Sequence, residues 1–174
     1  MILPSVTQVL SPWSDFSGIR PEVLAHAAER GTAVHAACAA YAQGLWVPSL
    51  DEECHGPFES FKLWFNRTVD VVLCCEKQFI DEGLGFTGTP DLVVMLKGET
   101  ASLVVDLKTP VSVAKSWAPQ IAAYRHLTKA DRAGTLRLSK TGLVPIFNEY
   151  QPKGEDWQAF LNCLGAYRYF HKGD

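Results

Sequence analysis

Hydrophobic and polar positions change period several times along the chain. Glu22 to Gln43 is rich in alanine, lacks proline and is followed by Gly44, which predicts one long helix. Between Pro57 and Asn66, Phe58, Phe61, Leu63, Trp64 and Phe65 are too dense for a solvated face and predict a short buried helix. From Thr68 onward β-branched and aromatic residues take over. Strands are predicted over 69–79, 85–96 and 101–108, with turn chemistry at Asp81–Gly83 and Lys97–Thr100, the pattern of a meander. A helix over 117–130, short strands near 135–139 and 143–149, and an amphipathic helix from Glu155 to Phe170 complete the order. Pro4, Pro12 and Pro21 mark the first residues as irregular. With no internal repeat, low-complexity tract or linker, residues 1–174 read as a single α/β domain.

Composition narrows the class. A chain of 174 residues, 47% hydrophobic and 20% charged, is long enough to bury one core and falls outside the disordered, collagenous and membrane classes. No apolar run reaches the roughly 18 residues of a membrane span. Met1 to Leu10 lacks the basic start of a secretory signal, so a cytoplasmic protein with no membrane partner is expected. Cys38, Cys54, Cys74, Cys75 and Cys163 contain no CxxC pair and read as free buried thiols.

The net charge of −3 hides a division. Residues 51–106 carry 11 acidic and 4 basic side chains, whereas residues 107–147 carry 1 acidic and 7 basic ones. An acidic stretch followed by Lys108, Lys115, Arg125, Lys129, Arg132, Arg137 and Lys140 suits a site for both cations and a polyanion; two ordinary solvated faces would give the same sums.

The strands at 85–96 and 101–108 both carry charge. A two-residue turn with Gly98 at its first central position pairs residues whose numbers sum to 197, so Asp91 falls opposite Asp106. Like charges directly opposed destabilise a sheet, and a shared cation removes that penalty. Paired carboxylates suit Mg²⁺ or Mn²⁺. Alternation puts Val104, Asp106 and Lys108 on one face, so the lysine joins the same site.

Pro90-Asp91, fourteen intervening residues and Asp106-Leu107-Lys108 resemble the motif of the PD-(D/E)XK nuclease superfamily, in its RecB-like exonuclease branch. The resemblance extends over about residues 5–170. It implies a restriction-endonuclease-like mixed central β-sheet flanked by α-helices. It assigns the metal to Asp91 and Asp106, with the Leu107 carbonyl completing the coordination, and a catalytic role to Lys108. Gln120-Ile121-Ala122-Ala123-Tyr124 matches the branch's Gln-x-x-x-Tyr helix motif, with Ser116 as the expected N-cap. These two side chains are expected to support the site and the DNA backbone. Gly31-Thr32-Ala33-Val34-His35 resembles the branch's Gly-x-x-x-His, which implies a ligand role for His35. Small residues at Gly31 and Ala39 would let that face approach another element. Related nucleases also carry a glutamate upstream, which makes Glu76 a further catalytic candidate, grouped by alternation with Cys74 and Gln78. Thr109 and Arg125 are candidates for phosphate contact, while His26, His55, His126 and His171 are read as non-ligands. Only Cys163 lies beyond the core, so no iron–sulfur cluster is expected.

The expectation is therefore a divalent-metal-dependent DNA nuclease, an exonuclease on linear or single-stranded ends in recombination, repair or phage DNA processing, in bacterial or phage-infected cytoplasm. Recombination or replication proteins and oligomerisation would supply what so small a chain lacks. The alternatives are a non-catalytic DNA- or protein-binding module on the same fold and a structure-selective endonuclease.

Overall fold

Ser5 opens the first element, and its side chain accepts from the Gln8 amide while the Gln8 side chain accepts from the Ser5 amide, a reciprocal cap. The computed structural model describes residues 3–14, 18–110 and 112–171. Helix α1 (Val6–Leu10) thus corrects the expectation of an irregular start. Helix α2 (Pro21–Ala42) follows as expected. Helix α3 (Glu52–Thr68) begins five residues before the proline taken as its start. Pro57 lies inside it, buried, and the helix absorbs the missing donor.

The predicted strand 69–79 is divided into β1 (Val69–Cys75) and β2 (Phe79–Asp81), and 85–96 into β3 (Phe86–Gly88) and β4 (Leu92–Leu96). Both strands of one long hairpin break at the same level. The register is continuous through the break, with Cys75 opposite Leu92 on one side and Phe79 opposite Gly88 on the other. Pro90, without an N–H, sits in the bend. Strand β5 (Ser102–Lys108), helix α4 (Trp117–Thr128), β6 (Arg132–Arg137), β7 (Ile146–Glu149) and α5 (Gly154–Phe170) complete the chain.

The central sheet has the order β1-β4-β5-β6-β7, antiparallel except where β5 and β6 run parallel through the α4 crossover. This is a mixed α/β architecture with a five-stranded mixed sheet flanked by helices, compatible with a restriction-endonuclease-like fold. Strands β2 and β3 form a separate two-stranded ribbon.

Alternation along the strands supplies two cores. Leu92, Val94, Leu103, Val105 and Leu107 pack with Val34, Cys38, Phe58 and Phe61 of α2 and α3. Val93, Val104 and Ala133 pack with Val6, Val9, Ile121, Tyr124 and Phe160 of α1, α4 and α5. Cys38 and Cys54 are buried, whereas Cys74, Cys75 and Cys163 are only partly so. Among the described residues no helix is long and apolar enough to cross a membrane.

Candidate metal and carboxylate site

Strand β4 pairs with β5 as Leu92–Val105, Val93–Val104, Val94–Leu103 and Met95–Ser102, every sum being 197. The turn differs from the expected one. Glu99 N–H donates to the Leu96 carbonyl at 3.0 Å, so Lys97 and Gly98 are the central pair and Gly98, at φ +77°, occupies the second central position.

One step beyond Leu92 the ladder gives way to side chains. Asp91 is buried; its Oδ2 accepts from the Leu107 amide at 2.6 Å and its Oδ1 lies 3.0 Å from His35 Nδ1. The amide of Leu107 thus faces Asp91, while the Lys108 carbonyl turns to β6 and accepts from Leu138 N–H. The His35 ring reaches the carboxylate from the middle of α2. Burial alone would lower the imidazole pKa, but the charge and hydrogen bond of Asp91, with Asp106 behind it, lift it to about 9.

Glu76 departs from the expected alternation. It follows β1 at φ +48°, a left-handed backbone rare outside glycine, and its N–H donates to the Asp91 carbonyl at 3.1 Å. After two register shifts within β1, the sum of 167 that holds from Cys74 onward places Glu76 opposite Asp91 as 197 places Asp91 opposite Asp106. Glu76 just past the end of β1, Asp91 just before the start of β4 and Asp106 within β5 therefore stand abreast. His35, Glu76 and Asp91 each offer a donor atom within 4.8 Å of the others. Burial first, then Asp91, push the Glu76 carboxyl up to about 7 although one side of it meets solvent.

Asp106 lies on the α4 side of this cluster. Its Oδ2 meets Lys108 Nζ at 2.6 Å, but this buried oxygen receives no well-aligned hydrogen bond. Burial raises the Asp106 pKa against the opposing effect of Lys108. Lys108 Nζ also donates to Gln120 Oε1 at 2.7 Å, and the ammonium rests 5.4 Å from the centre of the Trp117 ring. Gln120 Nε2 reaches Asp106 Oδ1 at 3.4 Å and the Tyr124 hydroxyl at 3.3 Å. Burial, then Asp106, raises the Tyr124 pKa, so the phenol keeps its proton. Trp117 was absent from the candidates; its place one turn before Gln120 on the same helix face was the available signal.

The remaining candidates are not equally close. Thr109 borders the site across from α2, its Oγ1 3.7 Å from the position of a Cβ on Gly31. Arg125 is turned away. Its Nε donates to the Ala130 carbonyl at 3.3 Å and its Nη2 to the Asp131 carbonyl, which ties down the far end of α4. Arg132 pairs with Glu99 and Glu149, so this arginine, like Lys108 with Asp106, neutralises internal carboxylates. Ser116 holds the N-cap position of α4 with an αR backbone and no capping side-chain bond.

An imidazole, two carboxylates and a third buried carboxylate with an unaligned oxygen match the donors of a hard or borderline divalent cation. Without that cation the pH dependence of stability has a definite sign. A raised imidazole pKa stabilises fully below its ordinary value of 6.5, and this contribution disappears as pH rises through about 9. Glu76, held protonated up to about 7, costs stability as pH climbs from 4.5 through that value. Urea unfolding in EDTA should therefore show stability falling between about pH 5 and pH 9, His35 accounting for up to about 3 kcal/mol. A flat or rising profile would contradict the pairing.

No family model matches the chain, and no curated protein matches it. Among solved structures, LHK-Exo in complex with dAMP is similar at a TM-score of 0.47 and 14% identity, over 98% of this chain and 91% of that one. The crystal structure of SSO0001 is similar at a TM-score of 0.39 and 17% identity over 57% of this chain, which spans about half (52%) of that protein.

Proposed function

We propose that this chain is a divalent-metal-dependent deoxyribonuclease of the PD-(D/E)XK type, RecB-like, releasing nucleotides from the ends of linear or single-stranded DNA during recombination, repair or phage DNA processing. The observation that carries this reading is the convergence of His35, Glu76 and Asp91 on one point beside the Asp106–Lys108 pair. His35, Glu76, Asp91, Asp106 and the Leu107 carbonyl are the donors available to Mg²⁺ or Mn²⁺. Such an ion supplies Lewis acidity toward a phosphodiester and lowers the pKa of water.

The chain's own residues do the rest. Asp91 is fixed at both oxygens by Leu107 N–H and His35, so its orientation is set before any ligand arrives. Lys108, held by Asp106, Gln120 and Trp117, puts an ammonium where negative charge develops as a nonbridging phosphate oxygen gains electrons. Gln120 links that ammonium to Tyr124, and Thr109 offers a hydroxyl to the phosphate next along the strand.

End-labelled linear DNA, incubated with Mg²⁺ or Mn²⁺ beside closed circular DNA, tests the reading. Release of mononucleotides from linear DNA is expected, with EDTA abolishing it and Asp106→Ala lowering it by at least about a hundredfold. Nicking of circles would replace the exonuclease with an endonuclease, and binding without cleavage would leave a DNA-binding module.

A further inference from the structure

Among the described residues, three buried side-chain nitrogen or oxygen atoms have no hydrogen-bond partner: Asp106 Oδ2, Thr135 Oγ1 and Asn148 Nδ2. They are not scattered. Asp106 on β5 is paired with Thr135 on β6, and Thr135 with Asn148 on β7, so the three side chains stand abreast on one face of the sheet. Their line is the one on which Glu76, Asp91 and Asp106 stand, extended past β5 to the opposite edge. Alternation identifies the face. Val104 and Ala133, two residues earlier on β5 and β6, pack with Ile121 of α4 and Phe160 of α5, so the polar row points to the side that these helices cover. Thr135 is fully buried and Asp106 is 4% exposed, while Asn148 is half-buried on the edge strand.

A dry polar atom inside a protein is destabilising, and native interiors satisfy such groups with protein partners or ordered water. Neighbouring strands lie about 4.8 Å apart, too far for one direct hydrogen bond between opposed atoms and a distance that a water bonded on both sides covers. We propose that ordered water occupies this row, one molecule between Asp106 and Thr135 and one between Thr135 and Asn148, and that through it Thr135 is a positioning residue for the Asp106 carboxylate; the positioning role rests on the nuclease reading. The chemistry of the row selects water over an ion. It runs from an acceptor, through a hydroxyl that both accepts and donates, to an amide donor, a series that water bridges and a cation does not. Lys108 Nζ, 2.6 Å from the same Asp106 oxygen, repels a cation there. An ion among His35, Glu76 and Asp91 would leave Thr135 and Asn148 unsatisfied, because they lie on the far side of Asp106 from that cluster. A carboxylate accepts from several directions, so water on the β6 side does not compete with an ion on the β4 side. Held from behind, Asp106 no longer depends on Lys108 and a long 3.4 Å contact from Gln120 for its orientation.

A high-resolution crystal structure of the metal-free chain tests the water row directly. Density for one water in contact with Asp106 Oδ2 and Thr135 Oγ1, and for another in contact with Thr135 Oγ1 and Asn148 Nδ2, is expected. Thr135→Val, which keeps the shape and removes the hydroxyl, tests what the row does. Its midpoint in urea should fall, because the bridging waters lose a partner inside the protein, whereas a valine in place of a dry hydroxyl would raise it. Its affinity for Mn²⁺, read by electron paramagnetic resonance, should weaken by about tenfold or more, and Thr135→Ser, which keeps the hydroxyl, should bind Mn²⁺ nearly as the wild type does. A row without water, a Thr135→Val chain more stable than the wild type, or one that binds Mn²⁺ equally tightly would each overturn the proposal. A wild-type chain that does not bind Mn²⁺ would instead remove the metal reading, and the positioning role with it, while the density and the urea midpoint still decide the water row.

Discussion

Asp91→Asn should lower cleavage of linear DNA by about two to three orders of magnitude while leaving the protein folded. The reasoning follows the two oxygens. The buried Leu107 N–H needs an acceptor, so the amide oxygen of asparagine takes the place of Oδ2 and the fold loses little. The amide nitrogen then faces His35, where Oδ1 now stands at 3.0 Å, and the imidazole loses its principal counter-charge. Burial, already the largest influence on that ring, is left opposed by Asp106 and by Glu76 once that carboxyl ionises, so the His35 pKa should drop from about 9. An NMR titration of the ring in metal-free buffer reads this directly, independently of catalysis. A variant that keeps full activity, or a ring still titrating near 9, would show that Asp91 is not the centre of the site.

The register that sets Asp91 against Asp106, one step past the Leu92–Val105 pair, was legible in the sequence because apolar alternation constrains it twice, through Val93 with Val104 and through Val94 with Leu103. That constraint is strong enough to survive a wrong turn: the central residues are Lys97 and Gly98, yet the register is the expected one. Gln120 and Tyr124 were legible for the same reason, helical spacing being insensitive to the boundaries of α4. Glu76 was harder, since a single positive φ removes it from the strand periodicity that was used to place it. What would have placed it is the second hairpin's register, which aligns it with Asp91. Charge sums were the weakest guide. They find Arg125 and Arg132 but not the carbonyls and carboxylates that occupy them, because those partners come from elsewhere in the fold. Pro57 misled in another way: taken as the first residue of a helix, it lies inside one that begins at Glu52, held there by the burial of Phe58, Phe61 and Trp64 on one face of α3.

Two helical glycines respond in opposite ways to the same substitution, and the contrast gives the largest expected effect on stability. Gly56, in α3, faces the chain after β6 so closely that an added Cβ would lie 1.8 Å from the Lys140 carbonyl oxygen and 2.5 Å from its carbon. These are backbone atoms, in a loop held to the same helix by the Ser139 N–H bond to Ser60 Oγ at 2.9 Å, so neither side can yield without breaking that half-buried contact. Gly56→Ala should cost about 3 kcal/mol or more in urea unfolding, the cost of forcing volume into a packed contact. Gly31, in α2, would place its Cβ at an ordinary 3.7 Å from Thr109 Oγ1, with no backbone in the way. There the entropy gained by removing a helical glycine has nothing to oppose it, and Gly31→Ala should stabilise by about 0.5–1 kcal/mol. Equal and small effects at both positions would mean that α3 does not press against the loop after β6, and that the close approach at Gly56 is not what this glycine is for.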